Sequence, residues 1–224
     1  KFLKLYGVSQ VDGLIADLGI SSHQIDEFSR GFSFRKNADL DMRMSKSGEL
    51  TAVHVLNTYS ESELHKVFGV YGEVKNAKTL AKEVVRARAG SDIKEVNQLL
   101  EVLSQLAPRN RENRYYAQVF QALRIEVNQE LQVLEQLLSL VADVLKPGGR
   151  LVVMSYHSLE DRLVKNYISK GVFSGQAEKD FYGNLLRPLD ALTRKPLVAS
   201  PEENAINNRA RSAKLRVAER NEQQ

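Results

Sequence analysis

Val11-Asp-Gly-Leu-Ile-Ala-Asp-Leu-Gly-Ile-Ser-Ser-His-Gln-Ile-Asp26 is the stretch that decides the fold class. Leu14, Ile15 and Ala16 make a continuous apolar run of the kind found in strands covered on both faces. The run over 11–17 ends in Asp17, turns through Gly19 and opens into a polar loop. In an open α/β sheet that ending sets a carboxylate at the carboxyl edge, where ligands lie in the crevice. A nucleotide-binding half ordinarily begins with a glycine-rich strand-to-helix turn. Only ten residues precede this strand, and the first is Lys1 rather than Met. The expectation is a fold whose opening third lies outside this chain.

A second strand supports the same class. Leu131, Leu134, Leu138, Val141 and Leu145 recur at helical spacing, Lys146-Pro-Gly-Gly149 reads as a turn, and Arg150-Leu-Val-Val-Met-Ser155 reads as a buried strand. Helix, turn and apolar strand form one repeat of a doubly wound sheet, so strands 11–17 and 150–155 should share it. Between them the pattern is helical. Ser60-Glu-Ser-Glu63 has capping-box spacing ahead of Leu64, Val67 and Phe68. Ala77, Leu80, Ala81, Val84 and Val85 mark the next helix, with Gly90 as its expected left-handed terminator. A third runs from Val96 to Leu106 ahead of Pro108, and a fourth carries Tyr116, Val119, Phe120, Leu123 and Val127. That is too much helix for one crossover, so an inserted helical subdomain over 49–125 is expected, with 1–48 and 126–224 forming the sheet domain. After it, Ser158 with Asp161 resembles a capping box, and Ala213-Lys-Leu-Arg-Val-Ala218 alternates like a terminal antiparallel strand at or near an edge.

Bulk composition narrows the function classes. The chain has 224 residues, 42% of them hydrophobic and 27% charged, as in ordinary globular proteins. It contains no cysteine, which excludes disulfides and thiolate metal sites. No apolar run approaches the roughly 20 residues that span a bilayer, so no membrane association is expected and a cytoplasmic location is. The four histidines show no metal-ligand spacing, and no metal site is expected. A Walker loop, a dinucleotide fingerprint and a Gly-x-Ser-x-Gly elbow are all absent from the sequence.

The net charge is only +4, so distribution matters more than total. Arg30, Arg35, Lys36 and Arg43 lie among Phe28, Phe32 and Phe34, and a second group includes Arg209, Arg211, Lys214, Arg216 and Arg220. Cations interleaved with aromatics suit single-stranded nucleic acid, which offers phosphates to one and unstacked bases to the other. The alternative is a solvated basic rim over phenylalanines that belong to the core. Asp17 could accept hydrogen bonds from a ligand amine or hydroxyl, or cap its own turn. Gln24 is a neutral donor and acceptor within the next loop. His157 falls between the second strand and a helix start, where it could hold a substrate, relay a proton or serve structure alone.

These motifs resemble, in order, those of the bacterial small-subunit rRNA (cytosine-N4)-methyltransferases of the RsmH or MraW type. The matching segments are Asp12–Asp26; Arg30-Gly-Phe-Ser-Phe34 with Leu40-Asp-Met-Arg-Met44; Tyr71-Gly-Glu73; Phe120-Gln-Ala-Leu-Arg-Ile125 with Asn128; Pro147-Gly-Gly-Arg-Leu151 running into His157-Ser-Leu-Glu-Asp-Arg162; and Asn208–Arg220. Two departures stand out. His23 takes the place of a usual proline in the Ser-Ser-Pro-Gln segment, and Asn208 that of the proline before Arg209. The resemblance implies a partial Rossmann-like sheet with an inserted helical subdomain, using S-adenosyl-L-methionine to methylate N4 of a cytidine in the decoding centre of 16S rRNA. It implies that Asp17 and Gln24 contact the cofactor, with Asp17 and His157 as candidates for orienting the reacting amine. It implies RNA contacts from Arg30, Phe32, Phe34, Arg35 and Arg43 near a flipped base, and from Arg209, Arg211 and Lys214 against phosphates. The glycine-rich cofactor motif of the family has no counterpart here, so this chain alone is expected to be inactive. The small ribosomal subunit is the implied partner, and a homodimer is open. An RNA-binding remnant and a different Rossmann-type nucleotide-dependent enzyme are the competing classes.

Overall fold

A computed structural model describes residues 2–221 and resolves them into two compact units, residues 2–19 with 131–221 and residues 20–130. In the first unit a short helix α1 (Phe2–Leu5) precedes β1 (Val11–Asp17), the strand that the apolar run predicts. Helix α8 (Glu130–Val144) leads into β2 (Leu145–Ser155), which pairs parallel with β1. Helix α9 (Ser158–Lys170), β3 (Leu189–Ala191), a short α10 (Pro201–Ile206) and β4 (Lys214–Arg220) complete the unit. The strand order is β1-β2-β4-β3, with β4 antiparallel to both neighbours. The terminal strand is antiparallel as expected, with the three-residue β3 outside it.

Register explains which face is covered. Leu14 and Ala16 of β1 stand opposite Leu151 and Val153 of β2, which stand opposite Ala218 and Arg216 of β4. This row packs with Leu134, Leu138 and Val141 of α8 and Val164, Tyr167 and Ile168 of α9. The opposite face differs from the two-sided burial expected of β1, for Ile15 is 82% exposed. Among the described residues β1 has a partner strand on one side only, and the face that carries Gly13, Ile15 and Asp17 lacks cover. The Lys146–Gly149 turn also differs from expectation, because strand pairing begins ahead of it. Val11 pairs with Leu145 and Gly13 with Arg150, so the glycines form a bulge within β2.

One buried ion cluster ties α9 to β4. Arg216 binds Asp161 through Nε–Oδ1 at 2.7 Å and Nη2–Oδ2 at 3.3 Å, and Lys214 Nζ reaches Oδ2 at 3.2 Å. Burial alone would raise the Asp161 carboxyl, but the hydrogen bonds and charges of Arg216 and Lys214 together outweigh it and hold it below its ordinary value.

The second unit is helical: α2 (Ser22–Asp26), α3 (Ala52–Thr58), α4 (Glu61–Lys66), α5 (Ala77–Arg88), α6 (Val96–Ser104) and α7 (Glu112–Asn128). Ser60 and Glu63 cap α4 reciprocally, as their spacing predicts. Gly90 does not take the left-handed conformation expected of it; α5 ends instead in a right-handed Ala89. Residues 20–48, expected with the sheet, belong to this unit because Phe32, Leu40 and Met42 insert among Leu56, Phe68, Leu103 and Leu123 of its core.

Asp161→Asn would leave Arg216 buried beside a neutral amide. It should lower stability at neutral pH by about 3 kcal/mol, read from urea unfolding. Because the folded carboxyl titrates below its ordinary value, its contribution is complete above about pH 4 and is lost as pH falls through the folded value. The gap between parent and variant should therefore close in acid, and a gap that stayed constant would contradict the assignment.

Candidate functional site

The parallel register places Asp17 opposite Met154, at the carboxyl edge of the sheet. Gly19 then turns the chain with φ +82°, a conformation that glycine adopts without a Cβ penalty. Asp17 itself is exposed, and Tyr156, just beyond β2, donates its phenolic O–H to Asp17 Oδ1 at 2.8 Å. Burial pushes the Tyr156 phenol up to about 12, and the hydrogen bond to the Asp17 carboxylate pushes in the same direction. The edge thus carries an exposed carboxylate whose orientation is set by a protonated tyrosine.

His157 has another occupation. It is the N-cap of α9, where Nδ1 accepts the Glu160 backbone N–H at 3.4 Å and Nε2 lies 3.2 Å from Glu160 Oε1. Glu160 Oε2 in turn accepts the backbone N–H of Tyr156 at 2.9 Å and of His157 at 3.4 Å. The cap expected from Ser158 and Asp161 is therefore supplied by His157 and Glu160, and Asp161 serves Arg216 instead. With its side chain only 8% exposed, His157 holds the cap through Nδ1, while Nε2 faces the Glu160 carboxylate without a hydrogen bond and the ring lines the cleft beside Tyr156.

Beside Tyr156 lies a cleft of about 320 Å³, with Ser158, Val198, Arg211, Ser212 and Lys214 on its walls. Lys214 stands opposite Ser155 in the sheet, so β4 carries a cation to the edge that holds Asp17. Arg211 is exposed at the end of a 3-10 turn spanning Asn208–Ser212. Arg209 is exposed on the same turn, and its backbone N–H donates to Asn207 Oδ1 at 3.2 Å.

In the helical unit, Gln24 sits in the first turn of α2. Its Oε1 accepts the Ser21 N–H at 2.9 Å while Ser21 Oγ accepts the Gln24 N–H at 3.2 Å. The cap thus uses the carbonyl of the Gln24 side chain and leaves its amide N–H groups for other partners. Asn128 joins two of the sequence motifs. Its Oδ1 accepts the Met44 N–H at 2.6 Å, and its Nδ2 donates to the carbonyls of Met42 at 2.8 Å and Arg124 at 2.9 Å. Met42 has φ 58°, uncommon for a non-glycine residue, and its N–H donates to the Arg30 carbonyl at 2.9 Å.

Several expected RNA contacts are used internally. Phe32 is only 9% exposed and lies in the core, with the Arg30 guanidinium 5.3 Å from its ring centroid. Arg30 Nη2 also donates to the Met44 carbonyl at 3.1 Å. Arg43 grips Asp41 at 2.7 and 2.8 Å and donates to the carbonyls of Lys46 and Gly48, so it organises its own loop. Phe34 is half-buried edge-to-face against Tyr116 and Phe120. Phe32 and Phe34 thus pack within the helical unit, while Arg43 is neither a solvated rim charge nor unpartnered. Arg35 is exposed and remains a candidate contact.

A family model described as the MraW methylase family matches residues 1–221. Among curated relatives, the chain is 57% identical to "Ribosomal RNA small subunit methyltransferase H" of Cytophaga hutchinsonii, an alignment covering 98% of this chain and 74% of the relative. Proteins of the same name from Flavobacterium johnsoniae and Bacteroides thetaiotaomicron are 52% and 50% identical, each over 98% of this chain and 72% of their own length.

Sequence reasoning misses Tyr156. Its phenol meets a carboxylate 139 positions away, and no local spacing signals such a pair. If the contact raises the phenol as described, Asp17→Asn should lower the Tyr156 pKa from about 12 while leaving it above 10, since burial persists. An NMR titration of ring-labelled tyrosine reads this directly, and an unmoved value would refute the contact.

Proposed function

This chain belongs to the MraW methylase family, and we propose that the full-length protein methylates N4 of a cytidine in the decoding centre of small-subunit rRNA, with S-adenosylmethionine as donor. The observation that carries the reading is the exposed Asp17 carboxylate, held by Tyr156 at the carboxyl edge of a parallel strand pair. On this reading the sheet is part of a Rossmann-like methyltransferase sheet, and residues 20–130 are an inserted helical unit serving substrate recognition.

The residues present fit the chemistry of such a cofactor. Asp17 offers an anionic acceptor to an amine, a hydroxyl or a cationic centre, and Gln24 offers amide donors that its cap does not use. S-adenosylmethionine, when bound, supplies an electrophilic methyl group on a sulfonium. Cytosine N4 attacks poorly because its lone pair is delocalised into the ring. The chain can help by accepting the N4 hydrogens and holding the amine in line, with Asp17 and the carbonyls of the 17–20 turn as acceptors. No strong base is required beforehand, because the N4 proton becomes acidic as the new bond forms. Tyr156 contributes by fixing Asp17 rather than by taking that proton, since a phenol near 12 stays protonated at neutral pH.

RNA would be held electrostatically, above all by the exposed Arg35 and Arg211, with Arg209 and Lys214 beside the latter. The small ribosomal subunit is the proposed partner.

Two experiments test the reading. In the full-length protein Asp17→Ala should abolish S-adenosylmethionine binding, and Gln24→Glu, which preserves the α2 cap, should weaken it about tenfold by removing donors. Calorimetric affinities unchanged in both variants would sink the cofactor assignment. The second experiment is a salt titration of RNA binding: Arg35→Ala with Arg211→Ala should flatten the log–log slope by about 0.7 for each phosphate that is no longer neutralised. Methylation of cytidine in isolated small subunits by the full-length protein should fall in parallel, and an unaltered slope would count against these two contacts.

A further inference from the structure

Between α9 and β3 the chain forms a small hairpin whose tip carries two adjacent aromatic side chains, Phe181 at 98% and Tyr182 at 86% exposure. The tip is held in one shape. Asp180 Oδ1 accepts the backbone N–H of Tyr182 at 2.9 Å and of Asn184 at 2.8 Å, while Oδ2 accepts from Asn184 Nδ2 at 2.9 Å. The Asp180 N–H donates to the Asn184 carbonyl at 2.9 Å, and the Gly183 N–H donates to the Asp180 carbonyl at 3.0 Å. Gly183 supplies φ +87° for the reversal. A bridge between Lys179 and Leu185 closes the base, with the Leu186 N–H donating to the Glu178 carbonyl at 2.9 Å. These bonds hold the Asp180 carboxyl below its ordinary range, so the clasp persists at neutral pH.

The two rings meet edge to face, with centroids 5.7 Å apart and planes at 88°. They do not stack on each other, so each keeps a broad face toward solvent. Leaving both exposed forgoes about 1.5–3 kcal/mol of burial per ring. The ordering of the turn serves nothing in the core. Two aromatic side chains offer about 300–500 Å² in all, well short of the roughly 800 Å² per partner of a stable protein interface. One or two nucleic-acid bases match that area, and Lys179 at the hairpin base is exposed and of the sign that phosphates need, next to the exposed Glu178.

We propose that the Phe181–Tyr182 tip is a preformed stacking platform for unstacked bases of the RNA substrate. The inference rests on the RNA reading above, but uses none of the residues assigned there. The rings take up bases through their faces, a sequence-tolerant contact, while the Asp180 clasp removes the entropy cost of ordering the platform.

The test uses a fluorescently labelled single-stranded RNA of about 12 nucleotides, within the site size of such binders. Phe181→Ala with Tyr182→Ala should weaken binding at least about tenfold, with an unchanged salt slope because the pair carries no charge that meets a phosphate. The ring-preserving pair Phe181→Tyr with Tyr182→Phe should bind like the parent. Both pairs lie on the surface and should melt at the parent temperature. Equal binding by the alanine pair, or a salt slope that falls with affinity, would overturn the proposal. So would unchanged RNA binding accompanied by failure to co-sediment with phosphatidylglycerol vesicles that the parent binds, which would assign the tip to lipid. A parent protein that bound no RNA would instead defeat the RNA reading itself.

Discussion

The parallel pairing of β1 with β2 is the constraint on which the rest of the candidate site depends. Strands so far apart in sequence can pair in parallel only across a long connection, and here residues 20–130 form a compact unit within it. The pairing fixes Asp17 opposite Met154, within reach of the tyrosine two residues further on. A slip of one residue would turn Leu14 and Ala16 away from the helices and carry Asp17 to the other face. Burial of one face therefore specifies where the carboxylate stands. On the far side of β2, the antiparallel β4 brings Lys214 opposite Ser155. Carboxylate and cation reach one edge from opposite ends of the chain.

Three acidic residues near that edge meet three environments, and only one is left for a ligand. Asp161 is buried and neutralised by Arg216 and Lys214. Glu160 is buried and accepts the N–H groups that lead into α9. Asp17 is exposed and receives a phenolic hydrogen bond. Isolated buried carboxylates would be costly, and each of the two buried ones has donors that offset the loss of water. That division keeps α9 firmly docked on the sheet while leaving the edge chemically available. It also accounts for His157, whose imidazole completes the cap that Glu160 begins.

Much of this is legible in the sequence. Continuous apolar runs locate both principal strands, period-2 alternation the terminal one and period-3.6 patterns the main helices, because burial imposes those patterns directly. Asp17 is legible because strand ends are. What periodicity cannot report is whether a cation is spent. Arg43 has its partner in plain view two residues away at Asp41, yet adjacency in sequence also suits a solvated pair. Phe32 reads equally well as an RNA-facing aromatic among cations or as core, and only packing against the helices decides for the core. Gly90 looks like a helix terminator on composition, whereas the chain ends α5 without a left-handed residue. The Tyr156–Asp17 and Arg216–Asp161 pairs arise entirely from strand register and have no local signature.

The internal commitments of these cations bear on how RNA could be held. A side chain already paired with a carboxylate, as Lys214 and Arg43 are, releases fewer counterions on meeting a phosphate than a solvated one does. With a net charge of only +4, the chain does not have the large positive field of a protein that binds nucleic acid by charge alone. Specific placement of a nucleotide then has to draw on contacts other than phosphates. Base stacking is the contact of comparable strength that does not depend on charge, at about 1–3 kcal/mol per base. Phe32 and Phe34 are committed to packing within the helical unit, which leaves exposed aromatics elsewhere on the chain to supply it. Sparse free charge and a rigid aromatic tip are thus complementary features of one mode of recognition.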